Sequence, residues 1–279
     1  MRAPRPPDWL VYLTVVAALT GAAILSGGRG AGPAARPLAP EPVGYPLAPA
    51  SPFDPSVVVK APTQSGQGAG AGTAFSVAGS GVWLTARHVV DGCAKTAIVI
   101  SPGRGVAASV RIDPNRETAI LFTKGGAPAL PLAVRGSVLH RGAMAFHPGF
   151  PQGRAGEAAT RLVRRERLVL RGRRARSEPI LAWAEVGRTP GLSASLAGLS
   201  GAPALDSQGR VIGVTIAQSP RRGRLYTTTP GALRAALATA GVAPSAAAAG
   251  APIGIDTYGR VADDLRRNLR VVQVVCLAS

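Results

Sequence analysis

Two short segments of this chain carry residue types at a spacing suited to covalent chemistry: Gly72-Thr-Ala-Phe-Ser…Trp83-Leu-Thr-Ala-Arg-His88-Val-Val and Gly198-Leu-Ser200-Gly-Ala-Pro203…Gly209-Arg-Val-Ile-Gly213-Val. A serine hydroxyl is a weak nucleophile near neutral pH, so it needs a neutral imidazole to take its proton and return it to a leaving amine. His88 is the candidate base and Ser200 the candidate nucleophile. Small residues around Ser200 let backbone approach backbone, so the N–H groups of Gly198 and Ser200 can converge on a carbonyl oxygen that becomes an oxyanion. Each segment also has a plainer reading. Gly-x-Ser-Gly-x-Pro is ordinary turn composition in a chain with 35 glycines, and a histidine after a strand serves structure as readily as catalysis. Their joint occurrence, with the acidic block Asp113-Pro-Asn-Arg-Glu117-Thr-Ala-Ile-Leu121 between them, points to catalysis.

In that order, histidine, acid, serine, the blocks resemble those of trypsin/chymotrypsin-fold serine proteases, and most closely the bacterial high-temperature-requirement (HtrA-like) branch, across residues 73–229. The branch carries Asp-x-x-x-Asp-hydrophobic-Ala-hydrophobic-Leu, whose second Asp orients the histidine. The resemblance therefore puts Glu117 in the orienting position, one methylene longer than the usual residue, with Asp113 as the reserve acid. If the triad works, Glu117→Asp should preserve or raise turnover. Asp-Pro-Asn is also turn chemistry, and Asp91 reads as a local cap or turn residue. Phe146-His-Pro-Gly149-Phe-Pro151-Gln-Gly153 resembles the opening of the second barrel, with His147 a loop residue. The resemblance also places Ala194 at the base of the specificity pocket and Thr215, Ile216 and Ala217 along its wall. No carboxylate awaits a Lys or Arg side chain, and a small or medium apolar residue is the expected fit. Leu199 replaces the aspartate that digestive members pair with a freed N-terminus, so activation by that route is not expected.

These residues need elements to hold them. Short β-branched runs bounded by Gly and Pro recur at Ala97 to Ile100, Ala107 to Ile112, Thr118 to Phe122, Arg167 to Leu170, Ile180 to Glu185, Val211 to Ile216 and Leu225 to Thr229. Two further strands, around Phe75 and Trp83, flank the turn Ala78-Gly-Ser-Gly81 and place His88 just past a hairpin. The expectation is an all-β protein of two six-stranded antiparallel barrels sharing a cleft, occupying residues 56–241, with a terminal helix over Pro230 to Ala240. Residues 242–279 read as a low-complexity joint and a tail. Within the tail, Val261 to Leu269 suits an amphipathic helix and Val271 to Leu277 a strand.

Ahead of the domain, residues 1–26 hold an uncharged apolar run from Leu10 to Ser26 behind Arg2 and Arg5, and residues 27–55 form a Pro/Ala/Gly-rich linker. The run reads as a single-pass signal anchor in a bacterial inner membrane, with the catalytic domain on the periplasmic side; a cleaved signal, and secretion, is the alternative. Beyond a membrane the environment is oxidising, so the only two cysteines, Cys93 and Cys276, read as a disulfide. Two cysteines and three histidines give no metal site, and no cofactor is expected. The net charge of +18 calls for an acidic partner. Arg161, Arg164, Arg165, Arg171, Arg173 and Arg174 crowd one segment without the aromatics a nucleic-acid reader would interleave, so anionic lipid or another polyanion fits better than nucleic acid, unless this is only a solvated basic hairpin. The reading is a serine endopeptidase acting on proteins or peptides. The rival is a protease-like domain that binds an acidic partner without cleaving, which the glutamate at 117 keeps open.

Overall fold

The computed structural model describes residues 44–60, 70–133, 138–171, 175–243 and 249–277. Thirteen strands and three helices are defined among them: β1 (Ser56–Lys60), β2 (Gly70–Ala78), β3 (Val82–Ala86), α1 (Arg87–Val90), β4 (Lys95–Ser101), β5 (Arg104–Ile112), β6 (Thr118–Phe122), β7 (Met144–Gly149), β8 (Gly156–Arg171), β9 (Arg176–Arg188), β10 (Pro203–Leu205), β11 (Val211–Ser219), β12 (Arg224–Thr228), α2 (Pro230–Thr239), α3 (Tyr258–Arg267) and β13 (Val271–Leu277). The expected apolar membrane segment at Leu10 to Ser26 lies outside the described residues, as does most of the linker. Among the described residues no helix is long and apolar enough to cross a membrane.

Six strands close a barrel in the order β13-β2-β3-β6-β5-β4. Its strands are buried on both faces: Phe75, Leu84 and Val271, in register with one another, lie on one, and Ile98 and Leu121 on the other, each almost wholly buried. The remaining strands form a seven-stranded sheet, β1-β8-β7-β10-β11-β12-β9, in which β8 and β9 also pair. One closed six-stranded barrel is thus present, and in the sheet β8 pairs with both β7 and β9, so that β8-β7-β10-β11-β12-β9 are hydrogen-bonded in a ring with β1 outside it. The seventh strand of the sheet is β1, which adds in parallel to the far end of β8, Ser56 opposite Arg167 through Lys60 opposite Arg171. Its Val57-Val-Val59 run is β-branched, and β8 is long enough, at 16 residues, to offer an unpaired edge there.

The segment read as joint and tail, 242–279, supplies α3 and β13. β13 runs antiparallel between β2 and β4, with Val271 opposite Phe75 and Val275 opposite Ala97. Cys276 on this strand is bridged to Cys93, just after α1, with the Cα atoms 5.3 Å apart. His147 is not a loop residue: it sits in β7, opposite Ala158 of β8, and is wholly buried. Pro148 and Gly149 had suggested a turn, but strand pairing on both sides of β7 overrides that local preference. The His147 ring lies 2.9 Å from both Thr160 Oγ1 and Thr215 Oγ1. Burial without an anionic partner lowers its pKa from 6.5 to about 3, so it is a neutral core residue.

Candidate active site

His88 enters through β3, whose five residues are all buried, and a single helical turn, α1, begun at Arg87. Arg87 is itself buried and ties this turn in place, donating from Nε to Asp91 Oδ2 at 2.9 Å and from Nη1 to the carbonyls of Asp113 and Pro114 at 3.0 and 3.2 Å. Asp91 is thus a local partner, as the sequence suggested. The same clamp puts the start of β6 beside His88. Glu117 Oε1 accepts the His88 amide at 3.0 Å and lies 2.9 Å from His88 Nδ1. An ionised carboxylate can only accept, so Nδ1 donates here and, in the neutral ring, Nε2 is the nitrogen with the lone pair.

Glu117 is 3% exposed. Burial alone would raise its carboxyl pKa. The hydrogen bond and charge of His88, joined by the Arg176 guanidinium on Oε2, outweigh burial and hold it below the usual carboxylate value. Asp113, the reserve acid, is turned elsewhere: its Oδ1 accepts Asn115 N at 2.9 Å and its Oδ2 meets Arg116 at 3.2 Å, the turn that Asp-Pro-Asn predicts.

Ser200 comes from the other strand set, on the loop leading into β10. Two glycines shape that loop. Gly198 has φ +94° and Gly201 has φ +90°, both in the left-handed region, and a Cβ on either would strike backbone, at Phe150 O and Thr73 O respectively. Leu199 between them is buried in the apolar cluster around Trp183. Among the described residues, neither the Gly198 nor the Ser200 amide donates to a protein acceptor.

Thr73 on β2, inside the histidine block but given no role there, joins the two halves. Its amide donates to Ser200 O at 2.8 Å, its hydroxyl donates to Gly198 O at 2.8 Å, and the same hydroxyl accepts Phe150 N at 3.1 Å. Next to it, a Cβ on Gly72 would fall 2.5 Å from Val89 and 3.0 Å from Ser200 O, so the His88 turn and the Ser200 carbonyl close on the same backbone position. Arg176 and Glu178 were missed too. Glu178 Oε1 accepts the Glu117 amide at 2.7 Å, and neither residue has a sequence spacing that marks it.

The residues expected around a pocket divide. Ala194 is exposed, Ile216 is buried and Ala217 is half-buried. Thr215 turns its hydroxyl into the core toward His147, and its backbone supports the serine loop through Gly201 N→Thr215 O at 2.7 Å and Thr215 N→Ala202 O at 2.8 Å. Gln152 and Gln218 hold Ser195, at 2.6 Å to its carbonyl and 3.1 Å to its hydroxyl. In the arginine-rich segment, Arg173 and Arg174 lie outside the described residues. Arg165 donates to Ala48 O at 2.6 Å, Arg164 pairs with buried Glu166 at 2.7 Å and Arg161, though exposed, donates to Gly142 O at 3.2 Å, so part of the basic run is used internally; Arg171 is exposed.

Residues 72–214 match the model of the trypsin-like peptidase domain, a little over half of the chain. The chain belongs to the trypsin-like peptidase family. No curated protein sequence matches it. Among solved structures, this peptidase is similar to the Rv3671c protease of M. tuberculosis: the inactive form at 23% identity and TM-score 0.51, covering 61% of this chain and 84% of that one, and the active form at 22% and 0.51, covering 66% and 76%. The HtrA-type protease AlgW with decapeptide is similar at 20% identity and TM-score 0.47, covering 60% of this chain and 50% of that one. Family membership makes the protein a serine protease, and its substrates are proteins or peptides.

Proposed function

We propose that this peptidase is a membrane-anchored, extracytoplasmic serine endopeptidase in which Ser200, His88 and Glu117 form the triad. The observation that carries the reading is Glu117 Oε1, which meets both the ring Nδ1 and the amide of His88 and so fixes tautomer and ring orientation together. Ser200 Oγ attacks the scissile carbonyl carbon while its proton passes to His88 Nε2. The carbonyl π electrons move onto oxygen, held by the Gly198 and Ser200 amides. Collapse of this intermediate breaks the C–N bond, and the proton on Nε2 goes to the departing amine. Water then repeats the sequence on the acyl-enzyme, with Ser200 as leaving group.

Ala194, Ile216 and Ala217 favour a small or medium apolar residue at the cleavage site, with Thr215 supporting the wall through its backbone. The apolar run at Leu10 to Ser26 and the flanking Arg2 and Arg5 support the anchor and its orientation. Exposed Arg161 and Arg171 suit an anionic lipid surface nearby. Within the family, the motif pattern fits the HtrA-like branch, and the seven-stranded sheet takes the part of the second barrel.

The mechanism is tested by the pH dependence of peptide hydrolysis. Because His88 acts as a neutral base, kcat/KM should fall along a single-proton limb as pH drops from 8 to 5; a rate constant across that range would rule the mechanism out.

A further inference from the structure

β9 opens with Arg176, on the far side of the long β8–β9 hairpin, and its first three residues reach the start of β6 in the barrel. There they complete an unusually full set of partners for one glutamate. The Glu117 amide donates to Glu178 Oε1 at 2.7 Å, its carbonyl accepts Arg87 N at 3.2 Å, its Oε1 serves His88 twice, and its Oε2 takes Arg176 Nη2. Glutamate has one more rotatable bond than aspartate, so a carboxylate held through one oxygen only would be free to swing about its last torsion. A guanidinium on the second oxygen removes that freedom.

The cluster is costly as a purely structural device. Glu178 is 4% exposed, and Glu178 Oε2 and Arg176 Nε are buried without a hydrogen-bond partner among the described residues. Buried ion pairs with such gaps are poor stabilisers and gather at functional sites. The groups facing Glu117 are His88, Arg176 and Glu178; Glu178 in turn feels Arg116, which is engaged by Asp113.

We propose that Arg176 is a positioning residue for the triad: the β8–β9 hairpin delivers its guanidinium to Glu117 Oε2, with Glu178 holding the Glu117 amide, and so locks the longer acid onto His88. This rests on the triad reading above. In the full chain, Arg176→Gln should lower kcat about 10- to 100-fold with KM little changed. It should also move the acid limb of the rate profile to higher pH, because a cation is withdrawn from beside the Glu117–His88 pair. Arg176→Lys keeps the charge but not the planar fork, so the limb should return toward its original position while kcat recovers only in part.

If Arg176→Gln folds and keeps both rate and limb, or if its rate falls only in proportion to lost folded protein with the limb unmoved, the proposal is wrong. Should that variant not fold, Arg176→Lys decides, and an unchanged kcat overturns the proposal. Glu117→Gln run in parallel separates the two levels. Loss of activity there with a silent Arg176→Gln removes only this inference, whereas an active Glu117→Gln removes the triad reading along with it.

Discussion

Glu117 reaches two His88 donors at 2.9 and 3.0 Å through one oxygen, and this geometry changes what a shorter acid should do. From sequence alone, aspartate looked like a return to the commoner residue. With the backbone of β6 fixed by Arg87 and Glu178, Glu117→Asp withdraws the carboxylate by about 1.5 Å from His88. Misplacement of that order should lower kcat about 100-fold, measured by steady-state hydrolysis of a peptide substrate. Thr73 offers a second test. Thr73→Val removes a hydroxyl that satisfies Gly198 O and Phe150 N, and should cost about 1–3 kcal/mol of stability in denaturant unfolding while lowering kcat. Glu178 predicts a pH dependence. Its pKa is raised from 4.5 to about 7, by burial first and then by the charge of Glu117. Between those values the folded protein keeps a proton that the unfolded chain releases, so this group makes stability fall as pH rises through that window, by about 3 kcal/mol in all. Glu178→Gln should therefore be more stable than the unaltered protein at pH 8 and comparable at pH 4, read as unfolding free energy at the two pH values.

Among the elements, β13 carries the most weight for its length. Without it, β2 and β4 would each lose a neighbour and the barrel would stand open beside the His88 turn. The bridge from Cys276 to Cys93 spans 183 residues, and in the chain-entropy account such a closure stabilises by about 5 kcal/mol. Cys276→Ser should lower stability by an amount of that order, and dithiothreitol should produce a similar loss in the unaltered protein but none in the variant. The strands at 118–122, 211–219 and 224–228 were legible because β-branched runs between turn residues need only local signals. Val271 to Leu277 was legible as a strand and the Cys93–Cys276 pair tied it to the His88 turn, but its partners β2 and β4 were not, since pairing between strands so far apart leaves no periodicity to read. His147 was misread for a related reason: Pro and Gly at 148 and 149 dominate the local pattern, while the two neighbouring strands that bury it are invisible there. His88, Ser200 and Glu117 stood out because chemistry constrains their types and the short motifs around them. Thr73, Arg176 and Glu178 act through tertiary contacts alone, and no spacing announces them.

At the scale of the whole molecule, the proposed site draws on two strand sets: His88 and Glu117 come from the barrel and the Ser200 loop from the sheet. Thr73 ties that loop to the barrel, and β9 brings Arg176 to Glu117. Gly201 lies where the loop passes closest to Thr73, so Gly201→Ala should displace the loop and abolish activity even where the protein remains folded by circular dichroism. The account stands or falls on whether Ser200 is activated by His88. The direct measurement is labelling of the protein with a fluorophosphonate probe across pH 6 to 9, beside Ser200→Ala and His88→Ala. The account predicts stoichiometric labelling that weakens toward pH 6 and vanishes in both variants. Folded protein that takes no label anywhere in the range, or labelling that persists in Ser200→Ala, would contradict it, and the first of these would leave a protease fold that binds without cutting.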